Sequence, residues 1–266
     1  MVKLAVIGKD VSQSVSPQIH KFIGEKLGLD LSYEKISIPQ EEFETRVEEM
    51  LSTYDGFNVT IPYKLSVIPH LNKIEGDALS FGAVNTVVTK TRTGYNTDGL
   101  GFSQLLASEN IDVNGKEVLL LGAGGAGRSV AKKLLDGGAK LELYDLNAAN
   151  AKKVAEEFKG ITDLDEVTPK KRALIVNATG VGMHNTVGKS PVGEDIIKLT
   201  DAAVDLIYFP VKSQFLKIAE GFGKKAVNGS AMLFYQAYYA FCYYFDMKPD
   251  AALAKKLFGE FNNLNG

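Results

Sequence analysis

Three glycines at the end of an apolar run are spaced to hold the phosphates of a dinucleotide. The run 117–121 leads into Gly122, Gly124 and Gly127, and a helical pattern follows. In this setting the first glycine permits a tight turn, the second lets the backbone approach a pyrophosphate, and the third allows close packing of helix on strand. The helix would offer its free N–H groups to the phosphates. The segment predicts a dinucleotide-binding loop; the alternative is a tight turn that binds nothing.

A carboxylate follows at the end of the next apolar run. Asp145 lies eighteen residues beyond Gly127, where an acidic side chain would accept hydrogen bonds from the ribose 2′-hydroxyl of NAD and repel the 2′-phosphate of NADP. Leu146 follows it rather than an arginine, and the nearest cations are Lys152 and Lys153. The sequence therefore favours NAD, while the two lysines keep NADP open. In the alternative interpretation Asp145 is an N-cap or loop carboxylate.

Polar clusters end or interrupt the apolar runs of the first hundred residues. Residues at the carboxyl ends of strands in an α/β sheet line the crevice where ligands bind. Taken singly, each cluster is more typical of a turn, since Ser, Pro, Asn and Asp are common loop formers. The clusters are SVSP at 14–17, GFNVTIPYK at 56–64, AVNT at 83–86 and GYNTD at 94–98.

Together with later motifs, these clusters closely resemble the shikimate dehydrogenase family, which includes quinate/shikimate dehydrogenases. The motifs occur in the order SVSP, GFNVTIPYK, GAVNTV, GYNTDGLGF, GAGGAGR, NATGVGM, DLIYFP and NGSAMLFYQA, over nearly the whole chain. GFNVTIPYK and GYNTDGLGF are highly specific, whereas GAGGAG alone is not. The resemblance implies an enzyme that interconverts shikimate and 3-dehydroshikimate with a nicotinamide cofactor, on the route to aromatic amino acids.

The resemblance assigns the catalytic pair to Lys64 and Asp98. Oxidation of a secondary alcohol removes its hydroxyl proton as hydride leaves the same carbon, so a proton acceptor must stand beside the reacting C–H. Lys64 would act on that proton, with Asp98 within reach of the same substrate edge. Two roles stay open: Lys64 accepts the proton itself, or it donates hydrogen bonds to the developing oxygen while water completes the relay.

The resemblance also implies the ligand contacts. Ser14 and Ser16 would bind the substrate carboxylate with their hydroxyls. Other substrate contacts would come from side chains that offer both donors and acceptors, namely Thr60, Asn85, Tyr208 and Gln236. The cofactor contacts would be Gly122, Ala123, Gly124, Gly125, Ala126, Asp145, Thr179, Leu206, Gly229 and Met232. Simple packing explains Met232 equally well.

Departures from the family pattern bear on specificity. NADP, the family default, is bound in many members by an Asn-Arg-Thr motif, but this chain reads YDLN at 144–147, which reinforces the preference for NAD. Ser16 is associated with shikimate, whereas relatives that favour quinate often have threonine there. The loop at 8–13 lacks the usual Gly-x-Pro-x-x-His, and His20-Lys21 stands where His-Asn or Tyr-Asn is usual.

The elements that must position these residues alternate between strand and helix. Apolar runs typical of buried strands are LAVIG, YEKISI, GFNVT, AVNTVV, EVLLLG, LELYD, ALIVNA and AAVDLIY. With helix-period segments between most of them, they predict an α/β protein with largely parallel sheets. We expect a substrate-binding catalytic domain over 1–103, completed by C-terminal helices at 231–266, and a Rossmann dinucleotide-binding domain over 104–230, with the active site in the cleft. Pro249 fits the first turn of the last helix.

Composition excludes other classes of protein. The 266 residues carry a formal net charge of −2 without a Lys/Arg-rich block, which argues against nucleic acid as a partner. No apolar stretch approaches the ~18 residues of a membrane span, and no signal peptide opens the chain, so we expect a cytoplasmic protein. Cys242 is expected to be a buried thiol, and the three histidines lack ligand spacing, so no metal is predicted. The expected partner is a small molecule; monomer and homodimer both stay open.

Other functions fit some of the same residues. The apparent preference for NAD suggests an NAD-dependent quinate/shikimate dehydrogenase of degradative metabolism, which relative turnover of the two acids would distinguish. A non-catalytic regulator that senses NAD or a cyclic acid is a second alternative, against which the intact Lys64 and Asp98 argue. A methylene-tetrahydrofolate dehydrogenase is a weaker third, disfavoured by the serine pair and GYNTD.

Overall fold

The chain forms two compact units, each built around its own sheet. The computed structural model describes residues 1–265. Unit 1 consists of Met1–Gly101 and the chain from Phe234 onward, and unit 2 is Phe102–Leu233. Strands and helices alternate along most of the chain, so the predicted α/β class is confirmed.

Unit 1 contains a mixed sheet of six strands in the order β2-β1-β3-β5-β6-β4. The strands are β1 Val2–Gly8, β2 Leu31–Ser37, β3 Gly56–Val59, β4 Lys73–Ile74, β5 Thr86–Val88 and β6 Thr93–Tyr95. β1 pairs in parallel with β2 and β3, whereas β5 runs antiparallel to both β3 and β6. The antiparallel part, which the apolar runs do not reveal, places Asn58 opposite Thr86 and Thr86 opposite Tyr95.

Helices cover the sheet of unit 1, and two of them continue along the chain into unit 2. They are α1 Ser16–Leu27, α2 Phe43–Thr53, α3 Asp77–Phe81, α4 Asp98–Ser108, α9 Ser230–Tyr244 and α10 Ala251–Asn265. The C-terminal helices pack on α1 through aromatic rings, with the Phe22 ring 6.3 Å from that of Phe234 and 5.3 Å from that of Phe261. The prediction for Pro249 is wrong: Asp250 Oδ1 accepts from the backbone N–H of Ala252 and caps α10, so the proline precedes the cap.

Unit 2 contains a parallel sheet of six strands in the order β12-β11-β10-β7-β8-β9. The strands are β7 Glu117–Leu121, β8 Lys140–Tyr144, β9 Ile161–Asp163, β10 Arg172–Asn177, β11 Thr200–Asp205 and β12 Lys225–Val227. Its own helices are α5 Gly125–Asp136, α6 Ala148–Glu157, α7 Glu194–Ile197 and α8 Gln214–Gly221. Asn177 pairs with both Leu121 and Asp205, so the carboxyl ends of β7, β10 and β11 lie side by side.

The single cysteine, Cys242, is buried, and this makes its thiol unreactive. Cys242 is 2% exposed, and burial raises the pKa of its thiol to about 11. The thiol is thus inert packing, as its aromatic neighbourhood in the sequence predicts. Over residues 1–265, no helix is both long enough and apolar enough to cross a bilayer.

We expect the buried ion pair of unit 2 to contribute strongly to stability. The Arg172 side chain is 1% exposed, and its Nε donates to Glu142 Oε2 at 2.7 Å. Arg172→Ala should destabilise the protein by about 3 kcal/mol, because Glu142 Oε2 and the Thr168 carbonyl oxygen lose their buried donor, although Lys170 still pairs with Glu142 Oε1. Thermal unfolding measures the effect. Lys132→Ala, which removes an exposed pair with Asp136, is the control and should cost under about 1 kcal/mol. Equal melting temperatures for the two variants would contradict the prediction.

Candidate active site

The Lys64 ammonium and the Asp98 carboxylate form an ion pair in unit 1. Lys64 Nζ lies 2.5 Å from Asp98 Oδ2, and the two side chains are 23% and 13% exposed. Lys64 lies within the turn that follows β3, and its carbonyl oxygen accepts from the backbone N–H of Val84 at 2.8 Å. Asp98 is the first residue of α4, where the partial positive charge of the helix N-terminus favours a carboxylate. Both charges therefore stand on firmly held backbone, yet solvent still reaches them.

A buried amide fixes the second oxygen of Asp98. Asn85 is 3% exposed, and its Nδ2 donates to Asp98 Oδ1 at 2.8 Å. Asn85 Oδ1 accepts from the backbone N–H of Thr97 at 2.9 Å and from the Thr86 hydroxyl at 2.8 Å. With donors on one side and an acceptor on the other, the amide has a single satisfied orientation. Gln236 joins the network through Oε1, which accepts from the Thr97 hydroxyl at 3.4 Å.

The network continues behind Asn85 to two residues that the sequence analysis did not single out. Asn58 Nδ2 donates to the Asn85 carbonyl oxygen at 3.0 Å, and Asn58 Oδ1 accepts from the Tyr33 hydroxyl at 2.7 Å. Both residues are buried. Asn58 and Thr97 lie inside motifs that carry the resemblance, which could have revealed them. No signal in the sequence points to Tyr33.

The serine pair begins helix α1. Ser14 Oγ donates to Ser16 Oγ at 3.1 Å and accepts from the backbone N–H of Ser16 at 3.3 Å. These hydroxyls lie at a helix N-terminus, whose partial positive charge favours an anion such as a carboxylate. Thr60 is tied to β1, since its backbone N–H donates to the Ile7 carbonyl oxygen at 2.9 Å. Tyr208 belongs to unit 2, so the structure does not group it with the other predicted substrate contacts.

The glycine loop of unit 2 leaves room for a phosphate group. A Cβ added at Gly124 or Gly125 would meet no atom within 4 Å, whereas one at Gly127 would collide with the Gly122 carbonyl oxygen. Gly122 has a φ of +100°, which side-chain-bearing residues rarely adopt. Helix α5 begins at Gly125, so its first N–H groups open toward this space. The loop therefore fits the pyrophosphate of a dinucleotide.

The other predicted cofactor residues follow strand ends or begin α9. Thr179 comes two residues after β10, and its hydroxyl donates to Asn177 Oδ1 at 2.6 Å. Leu206 directly follows β11, and its backbone N–H donates to the Asn177 carbonyl oxygen at 2.9 Å. Gly229 precedes α9 and packs so closely on the Leu206 carbonyl that a Cβ would not fit. Met232 is 8% exposed, as packing alone would also require.

Both oxygens of the Asp145 carboxylate already accept hydrogen bonds from the protein backbone. Its Oδ2 accepts from the backbone N–H of Ala123 at 2.7 Å, and its Oδ1 accepts from that of Asn147 at 2.8 Å. The side chain therefore ties the glycine loop to the segment before α6. Leu146 beside it is 86% exposed, and Lys152 and Lys153 lie exposed on α6.

Comparison with known proteins identifies the family. Residues 6–87 match the family model described as the shikimate dehydrogenase substrate binding domain. A Thermus thermophilus protein named "Shikimate dehydrogenase (NADP(+))" is 37% identical over 94% of this chain and 95% of its own length. This chain belongs to the shikimate dehydrogenase family. The similarity in sequence extends well beyond the matched domain, because it covers nearly all of both proteins.

Solved structures agree with the sequence comparison. A chorismate mutase/shikimate 5-dehydrogenase fusion protein from Clostridium acetobutylicum matches with a TM-score of 0.91 at 34% identity, covering 99% of this chain and 98% of that one. The Thermus thermophilus shikimate 5-dehydrogenase in complex with NADP(H) and shikimate matches with a TM-score of 0.88, also at 34% identity, covering 98% and 99%.

The preference for NAD predicted from Asp145 and Leu146 is wrong. Relatives at 35–37% identity over nearly the full length are named for NADP(+), and a structural neighbour holds NADP(H). The physical reason lies in the hydrogen bonds of Asp145. Because each carboxylate oxygen already accepts from a backbone N–H group, the charge of Asp145 is partly compensated, and its repulsion of a 2′-phosphate is weakened.

The buried histidine beside this site should make unit 1 sensitive to acid. Burial lowers the pKa of His20 to about 3, and the side chain of Asn58 raises it by a smaller amount. The His20 ring stacks on that of Tyr33, with 4.5 Å between the ring centroids. Unfolding exposes the histidine, whose pKa returns to near 6.5. Between about pH 6.5 and pH 3 the unfolded chain therefore binds a proton at His20 that the folded protein does not bind. Stability is therefore present above about pH 6.5 and falls with decreasing pH, by about 2 kcal/mol between about pH 7 and pH 5.

Urea unfolding at the two pH values measures this loss. His20→Phe, which keeps a stacking ring but cannot bind a proton, should show a loss smaller by about that amount. His184→Asn is the control, because His184 is exposed and has a φ of +47° that asparagine tolerates. The prediction is wrong if wild type and His20→Phe lose stability equally on acidification.

Proposed function

We propose that this chain is an NADP(+)-dependent shikimate dehydrogenase, which reversibly oxidises the alcohol of shikimate. The observation that carries the proposal is the Lys64–Asp98 ion pair, buttressed by Asn85, in a chain that belongs to this family. An ammonium group, a carboxylate and an amide held together can bind vicinal hydroxyls and manage the proton of the one that reacts. When bound, the cofactor supplies the hydride acceptor for oxidation and the hydride donor for the reverse reaction.

The substrate contacts follow from the polar groups of unit 1. Ser14 and Ser16 bind the carboxylate of shikimate with their hydroxyls, aided by the N-terminus of α1. Gln236 holds a ring hydroxyl, since an amide both donates and accepts. Asn85, whose amide already bonds to Asp98, Thr86 and Thr97, would contact a ring hydroxyl by exchanging its bond to the Thr97 hydroxyl. Thr60 adds a hydroxyl to this set, and Tyr208 is the contribution we assign to unit 2. The bonds of Asn85 to Thr86 and Thr97 fix its amide before the substrate arrives.

Lys64 handles the proton of the reacting hydroxyl. In the oxidation direction that proton must leave as the C–H bond breaks. Lys64 accepts it when its side chain is a neutral amine; as an ammonium group it instead donates a hydrogen bond to the developing oxygen, and water accepts the proton. In the reverse direction the ammonium group donates to the carbonyl oxygen and stabilises the negative charge that develops there. Asp98 keeps the Lys64 side chain in place through the 2.5 Å contact and offers an acceptor to a neighbouring hydroxyl.

Unit 2 holds the cofactor in this proposal. The loop from Gly122 to Ala126 and the first turn of α5 bind the pyrophosphate. Asp145 acts on the loop, because it fixes the Ala123 backbone. Thr179, Leu206, Gly229 and Met232 are assigned to the nicotinamide half.

Turnover measurements test the proposed activity and the role of Lys64. We expect wild type to reduce NADP(+) with shikimate faster than with quinate. Lys64→Ala should lower kcat by about 10²- to 10⁴-fold, because it removes the group that acts on the proton. Absorbance of the reduced nicotinamide gives the rates. The control is Lys73→Ala, since Lys73 is an exposed lysine of unit 1 paired with Glu75. Absence of turnover with either acid and either nicotinamide would shift the proposal toward a ligand-sensing regulator.

Substitution of the second loop glycine tests the cofactor site separately. Gly124 has φ −69° and ψ −172°, which alanine adopts without strain, and its Cβ would enter open space. Gly124→Ala should therefore leave the melting temperature unchanged but raise the dissociation constant of NADPH about tenfold or more, by displacing the pyrophosphate. Gly221→Ala, at an equally open position at the end of α8, is the matched control. Unaltered NADPH affinity in Gly124→Ala would show that the loop does not hold the phosphates.

A further inference from the structure

A fully buried aspartate ends strand β11. Asp205 is 0% exposed, and its carboxylate receives donors from the Ser213 hydroxyl at 2.5 Å, Asn177 Nδ2 at 3.0 Å and the Ile207 backbone N–H at 3.0 Å. Burial raises the pKa of Asp205 to about 6, while these three hydrogen bonds act in the opposite direction. Because the Asp205 carboxylate is closed to solvent, it can influence a bound ligand only through the residues to which it is hydrogen-bonded.

Position 205 requires an aspartate because three hydrogen-bond donors converge on its side chain. A carboxylate is the only common side chain that accepts everywhere and donates nowhere. An asparagine would turn its NH₂ group toward one of the donors and leave a buried bond unmade.

The first residue that Asp205 orients is Asn177, its neighbour at the end of β10. Asn177 is also fully buried, and its Nδ2 is shared between Asp205 and the Val181 carbonyl oxygen at 3.1 Å. With Nδ2 fixed in this way, Asn177 Oδ1 must point the other way. There it accepts both the backbone N–H of Thr179, at 3.0 Å, and the Thr179 hydroxyl, at 2.6 Å.

The same pair of residues fixes the chain that leaves β11. The backbone N–H of Leu206 donates to the Asn177 carbonyl oxygen at 2.9 Å, and that of Ile207 donates to Asp205. The Ile207 carbonyl oxygen in turn accepts from the N–H of Gly229 at 3.0 Å. The Asn177 side chain thus holds Thr179, and the Asp205 side chain holds Ile207 and through it Gly229, whereas Leu206 is held by the Asn177 backbone. All three of Thr179, Leu206 and Gly229 are assigned to the nicotinamide half of the cofactor.

We propose that Asn177 and Asp205 are positioning residues that set Thr179 and the Leu206–Gly229 contact for the nicotinamide end of the cofactor. This inference rests on the proposed function. Loops after parallel strands have few backbone partners of their own, so a shared buried anchor at the strand ends can hold several loops in one geometry. Binding is then tighter because the loops need no ordering when the cofactor arrives.

Affinity for NADPH, measured by fluorescence of the reduced nicotinamide, tests the inference against a purely structural role. Asn177→Ala should raise the dissociation constant about tenfold, because it releases Thr179. KM for shikimate should stay at the wild-type value, because unit 1 supplies most of the contacts assigned to that substrate. Asp205→Asn keeps the shape of the side chain but opposes one donor, and it should weaken NADPH binding in the same way.

Ser213→Ala is the matched control. It removes one bond to the same carboxylate, but Ser213 caps α8 and leaves the bonds of Asn177 intact. It should lower the melting temperature while NADPH affinity is retained. The inference is overturned if Asn177→Ala and Asp205→Asn bind NADPH like wild type and differ only in melting temperature. If Asn177→Ala does not fold, Asp205→Asn decides the question by the same two measurements.

Failure of the proposed function would look different. Wild type would then neither bind NADPH nor oxidise shikimate, whatever the variants do. If wild type does both and the two variants bind NADPH normally, only the positioning role is wrong.

Discussion

The ion pair between Lys64 and Asp98 sets the main constraint on unit 1. The two residues are 34 positions apart, and neither side chain is more than a quarter exposed. A charge withdrawn from water needs a partner of opposite charge, so the fold must bring Lys64 and Asp98 together. The antiparallel pairing of β5 with β3 and of β6 with β5 does this. It places Asn85 beside the end of β3, and it places Tyr95, which leads to Asp98, beside Asn85.

Behind the pair, a chain of hydrogen bonds connects Asp98 to the buried core of unit 1. Asn85 holds Asp98, Asn58 holds the Asn85 backbone, and Tyr33 holds Asn58. Each amide has donors and acceptors that match only one orientation, so the error in placing Asp98 is limited by the rigidity of the core. The charges proposed for the alcohol of the substrate therefore depend on one buried network.

The sequence was sufficient for the fold class and for the strands that build both sheet centres. Each of the apolar runs overlaps an observed strand, because strands buried on both faces read as continuous hydrophobic segments. The exception in burial is β2, an edge strand with one buried residue, Tyr33. The short strands β4, β6, β9 and β12 left no such signal, since three of them lie at sheet edges and two are largely exposed. Pro249 was misplaced because the capping bonds of Asp250, which define where α10 begins, are not visible in a propensity pattern.

Site chemistry was harder to predict than fold, because it depends on which partner each polar atom has found. Glycine spacing indicated the dinucleotide loop, since its requirement is local. Tyr33 could not be found, because its role depends on a hydrogen bond with Asn58 from another part of the chain. The role of each catalytic and ligand-binding residue stays a prediction until the variants are measured.

Three aspartates near strand ends show why a carboxylate in a sequence does not by itself indicate a ligand. Asp145 accepts two backbone N–H groups, which do not move, so the charge assumed to select NAD serves the loop instead. Asp205 accepts three donors in a site closed to solvent. Asp98 differs, because one of its oxygens meets only the ammonium group of Lys64, at the end of a flexible side chain that water can reach. An ammonium group can turn from one acceptor to another at little cost, whereas a backbone amide cannot. Of these three carboxylates, Asp98 is therefore the one able to exchange a partner for a substrate hydroxyl.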